Sequence, residues 1–138
     1  MRYRFVLVGC LALATSGCNK KKALEAKRQN VGDEVIKLAS AEDAYFTVYA
    51  EYVEQRTPWP ESTLSKEEQA WSWGSQFDEM SWAPTDEKTH GAFTVVLTDG
   101  GSSYVVTGQC DLDGDGVLAI WSMEKGGELM LTTPADVF

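Results

Sequence analysis

Three aspartates alternate with small or apolar residues late in the chain, and they form the segment with the clearest chemical meaning. Asp111, Asp113 and Asp115 are followed by Gly116, so the run reads Asp-Leu-Asp-Gly-Asp-Gly. Alternate acids in a glycine-rich turn can place several oxygens around one point, which suits Ca²⁺ with its roughly six to eight oxygen ligands. The spacing therefore predicts a calcium-binding loop.

The pattern matches only the first half of an EF-hand loop. Its seventh position would offer the backbone carbonyl of Val117, but its twelfth is Ser122, where an EF-hand has a bidentate glutamate. Residues 117–121 also favour a strand, whereas an EF-hand continues into a helix. We therefore expect a structural calcium loop between strands, with Glu124 or Glu128 as a further ligand. The alternative is an acidic turn without metal, because Asp-Gly pairs favour turns.

Tryptophans in the middle of the chain form a second candidate surface. If several were exposed, their flat rings would make the protein a glycan- or peptide-binding module. If they were packed together, they would fill the core of a small domain. The residues concerned are Trp59, Trp71, Trp73 and Trp82.

Little in the sequence could catalyse a reaction. His90 is the single histidine and stands just before a predicted strand. Cys110 is followed by Asp111, whose negative charge raises rather than lowers the pKa of a thiol. No nucleotide-binding glycine loop, zinc-ligand spacing or Gly-x-Ser-x-Gly motif occurs. We therefore expect that the protein is not an enzyme.

The first secondary-structure elements predicted to position these residues are helices. Apolar residues recur at helical spacing over residues 31–55 and predict one long amphipathic helix. A short second helix is predicted over residues 66–73, because Ser65 and Glu68 resemble a capping box. The apolar stripe of the long helix consists of Val31, Val35, Leu38, Tyr45, Tyr49 and Tyr52.

Strands dominate the second half of the chain. Residues 91–98 and 103–108 are rich in β-branched and aromatic side chains and flank an Asp-Gly-Gly turn, which predicts a hairpin. Residues 117–123 and 128–131 predict two more strands. One helix followed by an antiparallel meander of three or four strands is an α+β fold, with the helix covering one face of the sheet.

The start of the chain predicts export. A basic start precedes an apolar run over residues 5–14, about half of the roughly twenty residues that a membrane-spanning helix needs. This layout predicts a secretory signal peptide over residues 1–17. Small residues over 14–17 lead to Cys18, which resembles a bacterial lipobox. The resemblance implies that Cys18 is acylated, for example with palmitate; an ordinary secretory signal cut nearby is the alternative.

Cysteine usage agrees with that interpretation. Cys10 would leave with the signal peptide and Cys18 would carry the lipid, so Cys110 would remain as the only thiol. An odd number of cysteines is otherwise unusual in an exported protein. We therefore expect a domain without an internal disulfide, which depends on its core or on a metal.

Charge separates along the chain. Residues 18–30, the expected tether, hold five basic residues and one acid, whereas residues 31–138, the expected single domain, hold five basic and twenty acidic residues, a formal charge of −15. Binding to nucleic acid needs a basic surface, so this partner is excluded for the domain. The tether is either attracted to anionic headgroups or simply a solvated linker.

Residues 31–138 resemble the globular head of a type IV pilin or type II secretion pseudopilin. The resemblance rests on the amphipathic helix around residues 34–46, the proline loop 57–60, the hairpin 91–107 and the acidic loop 108–116. It implies a pilin-like α+β head with a structural Ca²⁺ site near its C-terminus. Pilins also carry an apolar N-terminal half-helix that this chain lacks.

These observations together predict a bacterial cell-envelope lipoprotein that acts in assembly or interaction. Membrane attachment would come from the lipid on Cys18. Asn19, directly after this cysteine, favours sorting to an outer membrane. The expected protein partners are envelope, pilus or secretion proteins.

Overall fold

The computed structural model describes residues 15–61 and 64–138, so most of the predicted signal peptide lies outside the described residues. One long helix, α1, spans Thr15–Tyr49. Seven strands follow in the described part of the chain. They are β1 (Gln55–Trp59), β2 (Gln69–Ala70), β3 (Lys88–Thr89), β4 (Gly91–Thr98), β5 (Ser103–Cys110), β6 (Ala119–Glu124) and β7 (Met130–Leu131).

Five of the strands form one antiparallel sheet in the order β1-β4-β5-β6-β7, and β2 pairs with β3 in a small second sheet. The hairpin of β4 and β5 is in continuous register from Gly91 opposite Cys110 to Thr98 opposite Ser103. Since α1 packs against β5 and β6, the predicted α+β architecture is confirmed.

The core lies between α1 and one face of the sheet. Alternate residues of β5 are buried, because successive side chains of a strand point to opposite faces. Val31 and Val35 of α1 lie over Gly108 of β5, where a Cβ atom would approach Val35 Cγ2 to 2.6 Å. Only a residue without a side chain permits this close approach of the helix to the sheet.

The boundaries of the long helix differ from the prediction at both ends. The described part of α1 starts at Thr15, within the predicted signal segment, and continues through the residues expected to form a tether. It ends at Tyr49, because Ala50 takes a left-handed conformation with φ of 57°. Gln55, expected in the helix, instead starts β1 and pairs with Val95. Antiparallel pairing with β4 therefore overrides the helical pattern.

At the far end of the predicted apolar stripe, the prediction that Tyr49 is buried is wrong. Tyr49 is 60 % exposed and packs on Tyr45, with ring centroids 4.4 Å apart. The core at this end is filled by Tyr104 of β5, whose hydroxyl donates to Ala39 O at 3.0 Å. Tyr52 packs edge-on against the Tyr104 ring from beyond the helix. Tyr52 is therefore buried as the stripe predicted, although it lies outside the helix, and Tyr104 fills the space expected for Tyr49.

The predicted helix over residues 66–73 is wrong. Gln69 and Ala70 form β2 instead, which pairs with β3, and Trp71 is drawn into the core. The Ser65 hydroxyl accepts a hydrogen bond from Glu67 N at 3.2 Å, a local turn that does not begin a helix. None of the helices in the described ranges is both long and apolar enough to cross a membrane.

A buried carboxyl group connects α1 to the segment that leads into β1. Glu42 Oε2 accepts a hydrogen bond from Val53 N at 2.9 Å, and its Oε1 is buried without a partner among the described residues. Burial disfavours the ionised form and raises the pKa of Glu42 from 4.5 to about 7, while the Val53 N–H opposes this shift and Asp43 adds to it.

Stability should therefore fall as the pH rises between about 4.5 and about 7. In this window folded Glu42 holds a proton that the unfolded chain has released, so raising the pH favours unfolding. Urea unfolding at pH about 5 and about 8 gives the free energy of unfolding of Glu42→Gln and of wild type. The difference, variant minus wild type, should be about 2–3 kcal/mol larger at the higher pH. For Glu51→Gln, which removes an exposed carboxyl group two residues before Val53, this difference should not change with pH. If the difference in free energy of unfolding between Glu42→Gln and wild type does not change with pH, the raised pKa of Glu42 is contradicted.

Candidate metal centre

The acidic loop lies between β5 and β6, directly after the last residue of β5. Asp111, at its base, is 7 % exposed, whereas Asp113 and Asp115 are exposed. Each of the three offers one carboxylate oxygen, and these atoms all lie within 4.8 Å of one another. The cluster could therefore hold a metal ion, as the spacing predicted.

Backbone N–H groups hold the carboxylates in place. Asp111 accepts from Gly114 N at 2.8 Å with one oxygen and from Gly116 N at 3.1 Å with the other. Asp115 accepts from Val117 N at 2.7 Å. Gly116 has φ of 83°, which favours glycine and allows the loop to coil back onto Asp111. A carboxylate can accept about four hydrogen bonds, so lone pairs remain for a cation.

The base of the loop is anchored to α1 through the segment Pro134–Phe138. Leu112 is buried, and its N–H donates to Phe138 O at 2.9 Å. Arg28 of α1 donates to Ala135 O at 2.8 Å and to Val137 O at 2.7 Å. Its guanidinium also lies 4.6 Å from the centre of the Phe138 ring. Arg28, expected in a tether, is thus a buried part of the domain.

The predicted further ligands Glu124 and Glu128 are wrong. Cys110 pairs with Ala119 at the loop end of β6, whereas Glu124 pairs with Val105 at the other end. Ala119 and Glu124 are five positions apart along the strand, which is about 17 Å. Glu128 lies beyond the turn that follows β6, at the same far end. Strand register therefore keeps both carboxylates away from the loop.

Val117 does lie in the loop, with an exposed side chain and its N–H bonded to Asp115. The contribution of its carbonyl to a metal site stays a prediction. Glu61 lines the same groove of about 630 Å³ as Asp111. The pairing of β1 with β4 brings it there across a long stretch of chain, so no local signal indicated it.

The tryptophans do not form one exposed surface. Trp71 and Trp82 are each 7 % exposed and pack edge-on with ring centroids 5.5 Å apart, beside Phe77 and Phe93. For both residues the interpretation that they fill the core is confirmed, and the alternative of an exposed binding surface is wrong. Trp59 is half-buried, and its Nε1–H donates to Ser72 O at 2.8 Å. Of the four tryptophans only Trp73 is exposed, at 50 %.

The two candidates for catalysis lie in unfavourable surroundings. Burial raises the pKa of the Cys110 thiol to about 12, although the nearby Arg28 opposes the shift, so the thiolate is disfavoured at neutral pH. Burial also lowers the pKa of His90, with Lys27 adding to the effect. The expectation that the protein is not an enzyme stays a prediction. Cys18, the predicted lipidation site, is exposed near the start of α1.

Comparison with known proteins adds no assignment. No family model matches the chain, and no curated protein or solved structure is similar enough to count as a match. The lipoprotein and pilin-like interpretations therefore depend on the residues alone.

Arg28→Gln should loosen the base of the acidic loop. The variant loses charge-assisted hydrogen bonds to two carbonyls, each worth about 1.5–3 kcal/mol. Hydrogen exchange should then show protection of the Leu112 amide falling by about tenfold or more, because Phe138 O is no longer held in place. Lys27→Gln, at the exposed neighbouring position, should leave this amide unchanged. Equal Leu112 exchange in wild type and Arg28→Gln would refute the anchoring role.

Proposed function

We propose that the protein is a non-enzymatic cell-envelope lipoprotein whose folded domain holds a structural Ca²⁺ ion. The observation that carries the proposal is the clustering of Asp111, Asp113 and Asp115 within 4.8 Å on a loop fixed by backbone hydrogen bonds. Three like charges this close repel one another, and a divalent cation removes that repulsion.

The chemistry of the donors favours calcium over softer metals. All three clustered groups are carboxylates, hard oxygen ligands that suit Ca²⁺ and Mg²⁺ rather than metals preferring imidazole or thiolate. Calcium accepts flexible, irregular ligand sets, whereas Mg²⁺ demands near-ideal octahedral geometry. Two of the three carboxylates are exposed, so water would complete the coordination. The expected Kd is on the order of 10⁻⁴–10⁻³ M, typical of extracellular modules.

The proposed anchor is a lipid on Cys18. Its side chain is exposed, and the residues on either side of it in the sequence support lipidation. The head resembles a pilin head in having a helix over an antiparallel sheet and an acidic loop after the hairpin. We assign it a role in envelope assembly or interaction, at the outer membrane where the host has one, with envelope, pilus or secretion proteins as partners.

Calcium should raise the thermal midpoint of the chain from residue 18 onwards. At a free concentration about ten times Kd, a ligand that binds only the folded state stabilises it by about 1.4 kcal/mol. For a domain of this size, that corresponds to about 5 °C. The measurement is a melt in millimolar calcium and in chelator. Asp113→Asn should abolish the difference, since it removes one carboxylate of the cluster.

Glu124→Gln is the matched control for that melt. It removes one exposed negative charge at the far end of β6 and should keep the full calcium shift. No shift in wild type would reject the structural calcium site. An equal loss in Asp113→Asn and Glu124→Gln would instead indicate a general effect of net charge.

A further inference from the structure

The first part of α1 stands apart from the core as a helical stalk, defined as Cys18–Lys27. Apart from Leu24, whose side chain is half-buried against the core, every residue of the stalk is exposed. The next residue, Arg28, is buried. The stalk therefore continues the rigid helix outwards from the body of the domain.

The stalk is basic although the domain behind it is acidic. Its charged residues are four lysines and one acid, Glu25. The ion pairs within the described residues are Lys37–Glu34 and Arg56–Glu54, so none involves a stalk lysine. These ammonium groups are free to meet an external anion. The four lysines are Lys20, Lys21, Lys22 and Lys27.

Three of these lysines, Lys20, Lys21 and Lys22, are arranged so that they can contact a surface that meets the end of the helix. Successive helical residues are about 100° apart around the axis, so Lys20, Lys21 and Lys22 point in three different directions. A helix that lies flat on a membrane would instead gather its basic residues along one face, opposite an apolar face. Lys20, Lys21 and Lys22 therefore form a partial ring around the outer end of the stalk.

Distances along the helix keep the acidic domain away from such a surface. At about 1.5 Å per residue, Lys20, Lys21 and Lys22 lie within about 6 Å of Cys18 along the axis, whereas Leu24, the first residue that packs against the core, lies about 9 Å away and Arg28 about 15 Å away. The Debye length at physiological ionic strength is about 8 Å. A surface at Cys18 is therefore closer to the lysines, which attract it, than to the domain, whose −15 charge over residues 31–138 is partly screened.

We propose that the stalk docks end-on against an anionic phospholipid surface through Lys20, Lys21 and Lys22. This inference rests on the proposed lipid anchor, which places Cys18 at the membrane. A polyanion that extends past the stalk, such as a nucleic acid, would meet the acidic domain. A planar surface that stops at the stalk end would not. The charge pattern thus favours a membrane as the partner.

The test uses the chain from residue 18 onwards with Cys18→Ser, which carries no lipid and retains every described strand and core residue. It should sediment with vesicles of phosphatidylcholine plus phosphatidylglycerol, but not with phosphatidylcholine alone. A lysine near an anionic surface contributes about fivefold in affinity. Adding Lys20→Gln and Lys21→Gln together should therefore lower the partition coefficient about 25-fold.

The matched control changes Lys66 and Lys88, two exposed lysines of the acidic domain, to glutamine. It alters net charge equally and should leave vesicle binding unchanged. Equal losses in both double variants, equal sedimentation with neutral vesicles, or preferential binding to duplex DNA would overturn the proposal.

The lipid anchor is tested separately, by the mass of the full chain recovered from bacterial membranes. An unmodified Cys18 would overturn the anchor, and with it the proposed function, whatever the vesicles show. An acylated Cys18 without lysine-dependent vesicle binding would overturn only the docking of the stalk.

Discussion

The close contact between α1 and β5 at Gly108 is the constraint on which the rest of the domain depends. The free cysteines Cys18 and Cys110 provide no disulfide, so packing between helix and sheet must supply the stability. A missing side chain at Gly108 lets Val31 and Val35 settle directly onto the strand. This position of the helix also brings Ala39 O within reach of the Tyr104 hydroxyl.

Three polar residues on the buried face of α1, Arg28, Glu34 and Glu42, then organise the loops around it. Arg28 holds the segment 134–138, and Glu42 holds the segment before β1. Glu34 accepts hydrogen bonds from Thr85 N at 3.2 Å and from Thr85 Oγ1 at 2.6 Å. Burying charge is costly unless it is paired, so these residues stabilise particular loop positions rather than the core itself. The helix thereby connects the acidic loop, through Arg28 and Leu112, to the centre of the fold.

The sequence predicted the features that depend on local patterns and missed those that depend on distant partners. The hairpin of β4 and β5 was predictable because its strands and turn are adjacent. The clustering of the three loop aspartates followed from their spacing. By contrast, β1 could not be found locally, since its partner β4 lies far along the chain. Glu124 was misplaced for a different reason, because the strand predicted over residues 117–123 already carries it to the end of β6 that lies away from the loop.

Calcium would add to this framework at the acidic loop, where three carboxylates converge and whose base is already anchored. The most direct test is a site-resolved NMR titration of backbone amides with calcium. The account predicts saturable shifts concentrated at Gly114, Gly116 and Val117, whose N–H groups bond the loop carboxylates. Shifts spread over the acidic surface, or none at these amides at millimolar calcium, would contradict it.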